Sequence, residues 1–265
     1  MMVVSGLWRY PVKSLVGAAC ETLQVNDWGP AGDRRWMLVD DSGRFLSQRQ
    51  LPMMCRLQAR ETPSGIAIVD LDSAASIEVA TPGSAAPARS VVVWGDDCRG
   101  LDAGDAVAQW LAARLGRVLR LCYMPDEEHR QVDLNYAQPG DRVSFADGFP
   151  FLLCHQRSVD WLSEKLGRTL EMSRFRPNLV VDGGEAFAER QWRRLAVGNI
   201  EFDVVKPCSR CVIPSIAPHS GERETEVFAL LREHCSDGAE VVFGQNLIQR
   251  GTGSIALGDV VRPLA

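Results

Sequence analysis

Apolar residues recur in short runs along the chain, and Gly, Pro, Asp and Ser break them at close intervals. Residues 3–10 alternate as a half-buried strand does, and Pro11 ends the run because it cannot donate to a ladder. Residues 19–25 and the doubly apolar stretch 34–40 read as strands. Asp40-Asp41-Ser42-Gly43 reads as a hairpin turn with 45–49 as its return strand. Further strands are expected over 55–59, 66–69, 76–79, 91–94, 118–123, 151–154, 175–182, 200–205, 240–243, 254–257 and 260–262, with 81–89 a loop. Helical spacing appears in three places. Val107, Trp110, Leu111 and Leu115 make one stripe, with Asp102 as cap and Gly116 as stop. Trp161, Leu162 and Leu166 make a second, capped by Ser158, and Val227, Leu230 and Leu231 a third. Strands outnumber helices, and the helices are inserted rather than alternating. The pattern predicts a mainly β protein with inserted helices (α+β) rather than a doubly wound sheet. The polar stretch 125–138 is long for a loop in a compact domain, so it is a candidate flap.

With 265 residues the chain makes one large or two modest domains, and its apolar (46%) and charged (24%) fractions are those of a soluble globular protein. A net charge of −5 argues against general affinity for nucleic acid or anionic lipid. No apolar run reaches the roughly 18 residues of a membrane span, and the N-terminus lacks a signal-peptide core. Eight cysteines, scattered singly but for one pair, suit reduced thiols in a cytoplasmic protein.

That pair lies in Lys206-Pro207-Cys208-Ser209-Arg210-Cys211-Val212-Ile213-Pro214-Ser215. The prolines place the thiols where a strand leaves its sheet, facing a cleft. Thiolates are soft ligands for redox metals, and Arg210 between them favours ionisation. On the residues alone the pair also fits half of a zinc site, a thioredoxin-like redox pair or two packed thiols. Zinc needs about four ligands, and His129, His155, His219 and His234 offer no second motif. A thioredoxin-like pair opens a helix, which Pro214 opposes.

Cys208-Ser209-Arg210-Cys211 with the following Ala217-Pro218-His219-Ser220-Gly221 resembles the signature of the MOSC domain. It is most similar to the amidoxime-reducing, molybdenum-cofactor branch that includes bacterial YcbX-type proteins. Tyr10-Pro11-Val12-Lys13-Ser14, Phe175-Arg176-Pro177-Asn178 and Phe243-Gly244-Gln245-Asn246 with Gly258-Asp259 agree, in family order across the chain. The resemblance implies a smaller β-rich N-terminal domain over 1–118 and a MOSC β-barrel domain over 119–265. It implies a molybdenum cofactor with Cys211 as the protein ligand to the metal and Cys208 a bystander. Lys13, Ser14, Arg34, Arg176 and Asn178 are then expected to hold the pterin and its phosphate. Ser209 and Arg210 are expected beside the ligand, and Gly148 and Phe149 to make backbone contacts. Asp147 is expected to relay protons, because reducing an N–O bond consumes two electrons and two protons. The implied activity is reduction of N-hydroxylated small molecules such as hydroxylamino purines and amidoximes. No Gly-x-Gly-x-x-Gly nucleotide motif and no plant-type iron–sulfur spacing is present, so electrons are expected from a separate flavin or iron–sulfur protein. The alternative is a module that carries molybdenum cofactor or sulfur without turnover.

Overall fold

Seven strands close into a barrel in the computed structural model, which describes residues 1–264. They are β1 (Met2–Arg9), β2 (Phe151–His155), β3 (Leu179–Asp182), β4 (Arg194–Val197), β5 (Ile200–Ser209), β6 (Glu240–Gln249) and β7 (Val260–Pro263). Around the barrel the order is β2-β3-β1-β7-β4-β5-β6, and β6 pairs with β2 to close it. Closure leaves no long edge exposed. The interior is filled by alternate residues, among them Val4, Leu7, Leu153, Leu179, Val181, Leu195, Phe202 and Leu247. Phe151 and Phe202 meet edge to face at 5.1 Å, and each such buried ring contributes about 1.5–3 kcal/mol over exposure. Helices α2 (Gln156–Leu166) and α3 (Thr225–His234) cover the barrel wall through Val159, Leu162, Val227 and Leu231.

The N-terminal part carries a three-stranded meander (Leu57–Thr62, Gly65–Asp70, Ser76–Ala80). It also carries a four-stranded sheet in which Trp36–Val39, Arg120–Tyr123, Asp96–Asp102 and Ala88–Val93 are neighbours in that order. Helix α1 (Asp105–Leu115) packs Val107, Leu111 and Leu115 into this second core and stops at Gly116 in the left-handed conformation. The mainly β expectation with inserted helices is met. The division at 118/119 is crossed by strand pairing in three places. β1 belongs to the barrel, Arg120–Tyr123 pairs with Trp36–Val39, and Gly253–Ala256 pairs with Thr22–Asn26.

Three local expectations are corrected, and strands Asp96–Asp102 and Arg194–Val197 went unforeseen. The return after the 40–43 turn is only a short bridge, Phe45 to Val39 with the Leu46 N–H on the Leu38 carbonyl, because the Gln50 side-chain oxygen takes the Ser47 N–H and hydroxyl and turns the chain. Helix α2 is capped by His155, whose Nδ1 accepts from the Arg157 N–H; Ser158 lies inside it and donates to buried Glu189. The Asp96–Asp102 strand was not foreseen, since its polar sequence hides the alternation. Residues 125–138 do not form a free flap: Val132 and the Arg130 side chain are buried, and Gln131 bridges Arg142.

Candidate active site

Strand β5 carries the first cysteine to the end of the barrel. It is bulged between Val204 and Lys206 and again between Pro207 and Ser209, and such bulges re-aim side chains. The chain leaves the sheet at Ser209, and Cys211 follows in the irregular link just before a short 3-10 turn, Ile213–Ser215. Both thiols line a cleft between the barrel end and the N-terminal part that is partly open to solvent.

Lys13, Ser14, Arg34, Asp147, Gly148, Phe149, Arg176, Asn178, Ser209, Arg210 and Cys211 all line this one cleft. Their backbones are strained there. Ser14 (φ 67°), Arg34 (φ 47°) and Arg176 (φ 56°) occupy the left-handed region, as does Trp94 (φ 57°), which also lines the cleft. Such conformations cost about 1–3 kcal/mol each and persist only where surrounding contacts hold them.

Two guanidinium groups, from Arg34 and Arg176, lie 4.3 and 4.4 Å from the buried Tyr10 ring. Arg34 reaches Asp33 (2.5 Å), the Asn178 side-chain oxygen (2.9 Å) and the Arg176 carbonyl (3.1 Å). Arg176 donates Nη1 to the Leu15 carbonyl at 2.7 Å and leaves Nη2 buried without a protein partner. Burial, together with the nearby Arg34 charge, pulls Arg176 down to about 10. Lys13 is 5% exposed and donates to the Phe145 carbonyl (2.8 Å) and to Asp147 Oδ1 (2.5 Å). Burial lowers Lys13 to about 8 even though Asp147 pushes the other way. Recession into the cleft raises the Asp147 carboxyl, but the Lys13 ammonium and hydrogen bonds from Lys13 and Trp94 outweigh it and hold the group well below the usual carboxylate range. Asp147 is therefore a fixed anion at neutral pH, and the proton of the pair resides on Lys13.

The thiols differ. Cys211 Sγ accepts the Ile213 N–H at 3.5 Å, which fixes where the sulfur points. Burial raises the Cys208 thiol despite Arg210. Arg210 does not lie between the two thiols as an open cation: its Nε, Nη1 and Nη2 go to the carbonyls of Phe243 and Phe175. Ser209 spends its hydroxyl on Glu240. Asn178 is also saturated. Its Nδ2 donates to the Trp8 carbonyl and Asp33, and its Oδ1 accepts from Arg34 and the Leu152 N–H. These three side chains position their neighbours. Gly148 has nothing within 4 Å of where a Cβ would stand, and Phe149 rests edge-on against Tyr136 at 5.8 Å.

Several wall residues escaped sequence reading. Arg174, with 1% of its side chain exposed, holds the loop after Cys211 through the Pro214 and Ile216 carbonyls and pairs with Glu171 and Glu224. Arg130 binds the carbonyls of Ser144, Ala146 and Asp147 and so holds the acid in place. Phe45, Arg49 and Trp94 complete the N-terminal wall. None has a local sequence pattern; a buried arginine is found only once its carbonyl partners are known.

Among the described residues no helix is long and apolar enough to cross a membrane. The chain is 29% identical over 281 residues to mitochondrial amidoxime-reducing component 1 of Homo sapiens, covering 97% of this chain and 82% of that protein. It is 28% identical over 266 residues to the molybdenum cofactor sulfurase of Homo sapiens, covering 93% of this chain but only 30% of that longer protein. The YuaD protein of Bacillus subtilis superposes with a TM-score of 0.48 at 11% identity, covering 98% of this chain and 94% of that one. Residues 1–118 match the MOSC N-terminal beta barrel domain and residues 140–262 the MOSC domain, so the chain belongs to the MOSC-domain family.

Proposed function

We propose that the cleft holds a molybdenum cofactor and that the protein reduces N-hydroxylated small molecules such as hydroxylamino purines and amidoximes, with electrons from a separate flavin or iron–sulfur protein. The observation that carries this reading is the convergence of Lys13, Arg34, Asp147, Arg176 and Cys211, distant in sequence, on one cleft. The donor set fits the group. Lys13, Arg34 and Arg176 offer positive charge, and the buried Arg176 Nη2 lacks a partner that a phosphate oxygen would supply. Cys211 offers a soft sulfur ligand of the kind molybdenum takes, oriented by the Ile213 N–H.

When bound, the cofactor supplies the two-electron redox centre. The chain's part is to orient substrate and deliver protons. Lys13 Nζ holds a proton 2.5 Å from Asp147 Oδ1, and a lysine lowered to about 8 is near the driving force a general acid needs at neutral pH. Asp147, a fixed anion whose side chain is 74% exposed to the cleft, holds that ammonium at the cleft wall, so Lys13 is the proton donor. The relatives named amidoxime-reducing components support the reading. The relatives named molybdenum cofactor sulfurases favour a second one, in which the chain carries cofactor or sulfur without turnover. Turnover of an N-hydroxylated purine with a reduced dye, using protein made in a cofactor-producing host, decides between them. Reduction supports the enzyme, and a loaded but inert protein supports the carrier.

A further inference from the structure

The cleft has an aromatic wall, Phe45 and Trp94, to which the cofactor reading gives no ligand role. Ala88–Val93 and Asp96–Asp102 form a hairpin whose two-residue turn is Trp94-Gly95, closed by the Val93–Asp96 pair. Trp94 takes the first central position with φ 57°. A positive φ there is usually given to Gly or Asn, and a bulky side chain in this region is an outlier. Folding alone gives no reason to put tryptophan there, yet its ring is braced. Its Nε1–H donates to Asp147 Oδ1 at 3.2 Å. The Arg49 guanidinium lies 4.4 Å from the ring centroid, and Phe45 lies 5.2 Å away at a 55° tilt. Even so the residue is 49% exposed, and it lines the cleft. A braced aromatic ring left open beside the proton-bearing Lys13–Asp147 pair is a stacking platform.

We infer that Trp94 is the specificity-determining surface for planar, aromatic N-hydroxylated substrates: the flat ring system stacks on the indole, and its N–OH group is thereby presented to Asp147. The inference rests on the reductase reading of the cleft. Stacking on an aromatic side chain is sequence-tolerant among flat π systems and absent for aliphatic ones. The wall therefore discriminates benzamidoxime or a hydroxylamino purine from acetamidoxime.

The test compares KM for benzamidoxime and acetamidoxime in the wild-type holoenzyme, Trp94→Gly and Trp94→Phe, with a reduced dye as donor. Trp94→Gly relieves the backbone strain, so the variant folds and its unfolding midpoint serves as a check. The benzamidoxime-to-acetamidoxime KM ratio should rise about tenfold in Trp94→Gly, as expected for loss of one stacking contact. Trp94→Phe, which keeps a π face but loses the Nε1–H, should restore most of the wild-type ratio. A ratio that stays put in Trp94→Gly, or moves as far in Trp94→Phe, overturns the platform. If the wild type reduces neither amidoxime, the reductase reading fails separately. The platform is then judged by calorimetric binding of benzamidine and acetamidine to the same three proteins: loss of the aromatic preference in Trp94→Gly alone supports it, and no preference in the wild type overturns it.

Discussion

At the scale of single residues, the two thiols of one motif are made unequal by their surroundings. Cys211 sits beyond the strand end with a backbone N–H on its sulfur, whereas burial keeps Cys208 a thiol. Cys211→Ser should therefore abolish activity and lower molybdenum content, since a hydroxyl is a harder and far less ionised donor. Cys208→Ser should keep most of both. Activity assays with metal analysis on the two variants check this, and the reverse pattern would reassign the ligand. The Lys13–Asp147 pair makes a second prediction. Lys13 is charged below about 8 and neutral above it, so turnover should fall as pH rises through about 8. Lys13→Arg stays charged over that range, so any turnover it keeps should lack the alkaline fall. A pH–rate profile of kcat for both proteins tests it, and an unchanged alkaline limb in the variant would remove Lys13 from the relay. Little of this was legible locally. Lys13 and Arg176 read by themselves as surface cations. Their place in the cleft followed from the family resemblance, and the saturation of Asn178 and Arg210 became visible only with their carbonyl and carboxylate partners in view.

At the scale of elements, alternation and turn residues marked most barrel strands, because each buries one face in a shared core, but they missed Arg194–Val197 and stopped short on Ile200–Ser209 and Glu240–Gln249. They failed where a side chain captured the backbone, as Gln50 does at Ser47, or where pairing rather than pattern makes the strand, as in Asp96–Asp102. The closure of β6 on β2 depends on a glycine. Gly244 has φ 74°, and a Cβ there would stand 2.6 Å from the Leu153 carbonyl and 2.9 Å from Cys154 Sγ. Gly244→Ala should cost about 3 kcal/mol or more through strain and lost closure. Urea unfolding reports it, and a midpoint within error of wild type would show that the seam yields more easily than its geometry implies.

At the scale of the whole molecule, the cleft exists because the chain's halves are sewn together. β1 completes the barrel, Arg120–Tyr123 lies in the N-terminal sheet, and Gly253–Ala256 pairs with Thr22–Asn26. Residues 1–118 and 119–265 expressed separately should each lack cooperative thermal unfolding, because each leaves strands without neighbours. A cooperative transition in either fragment, followed by circular dichroism, would contradict that. The exchange of strands across residue 118 was not legible in the sequence, since pairing partners so far apart along the chain leave no local mark. The convergence of cationic and thiol groups that this exchange creates is the basis for assigning a cofactor. The most direct test is molybdenum and pterin content of the purified chain from a host that makes the cofactor. The account predicts both in stoichiometric amounts, with Arg176→Ala losing pterin and metal together while its unfolding midpoint stays near that of wild type. Protein with no molybdenum, or with zinc in its place, would contradict it.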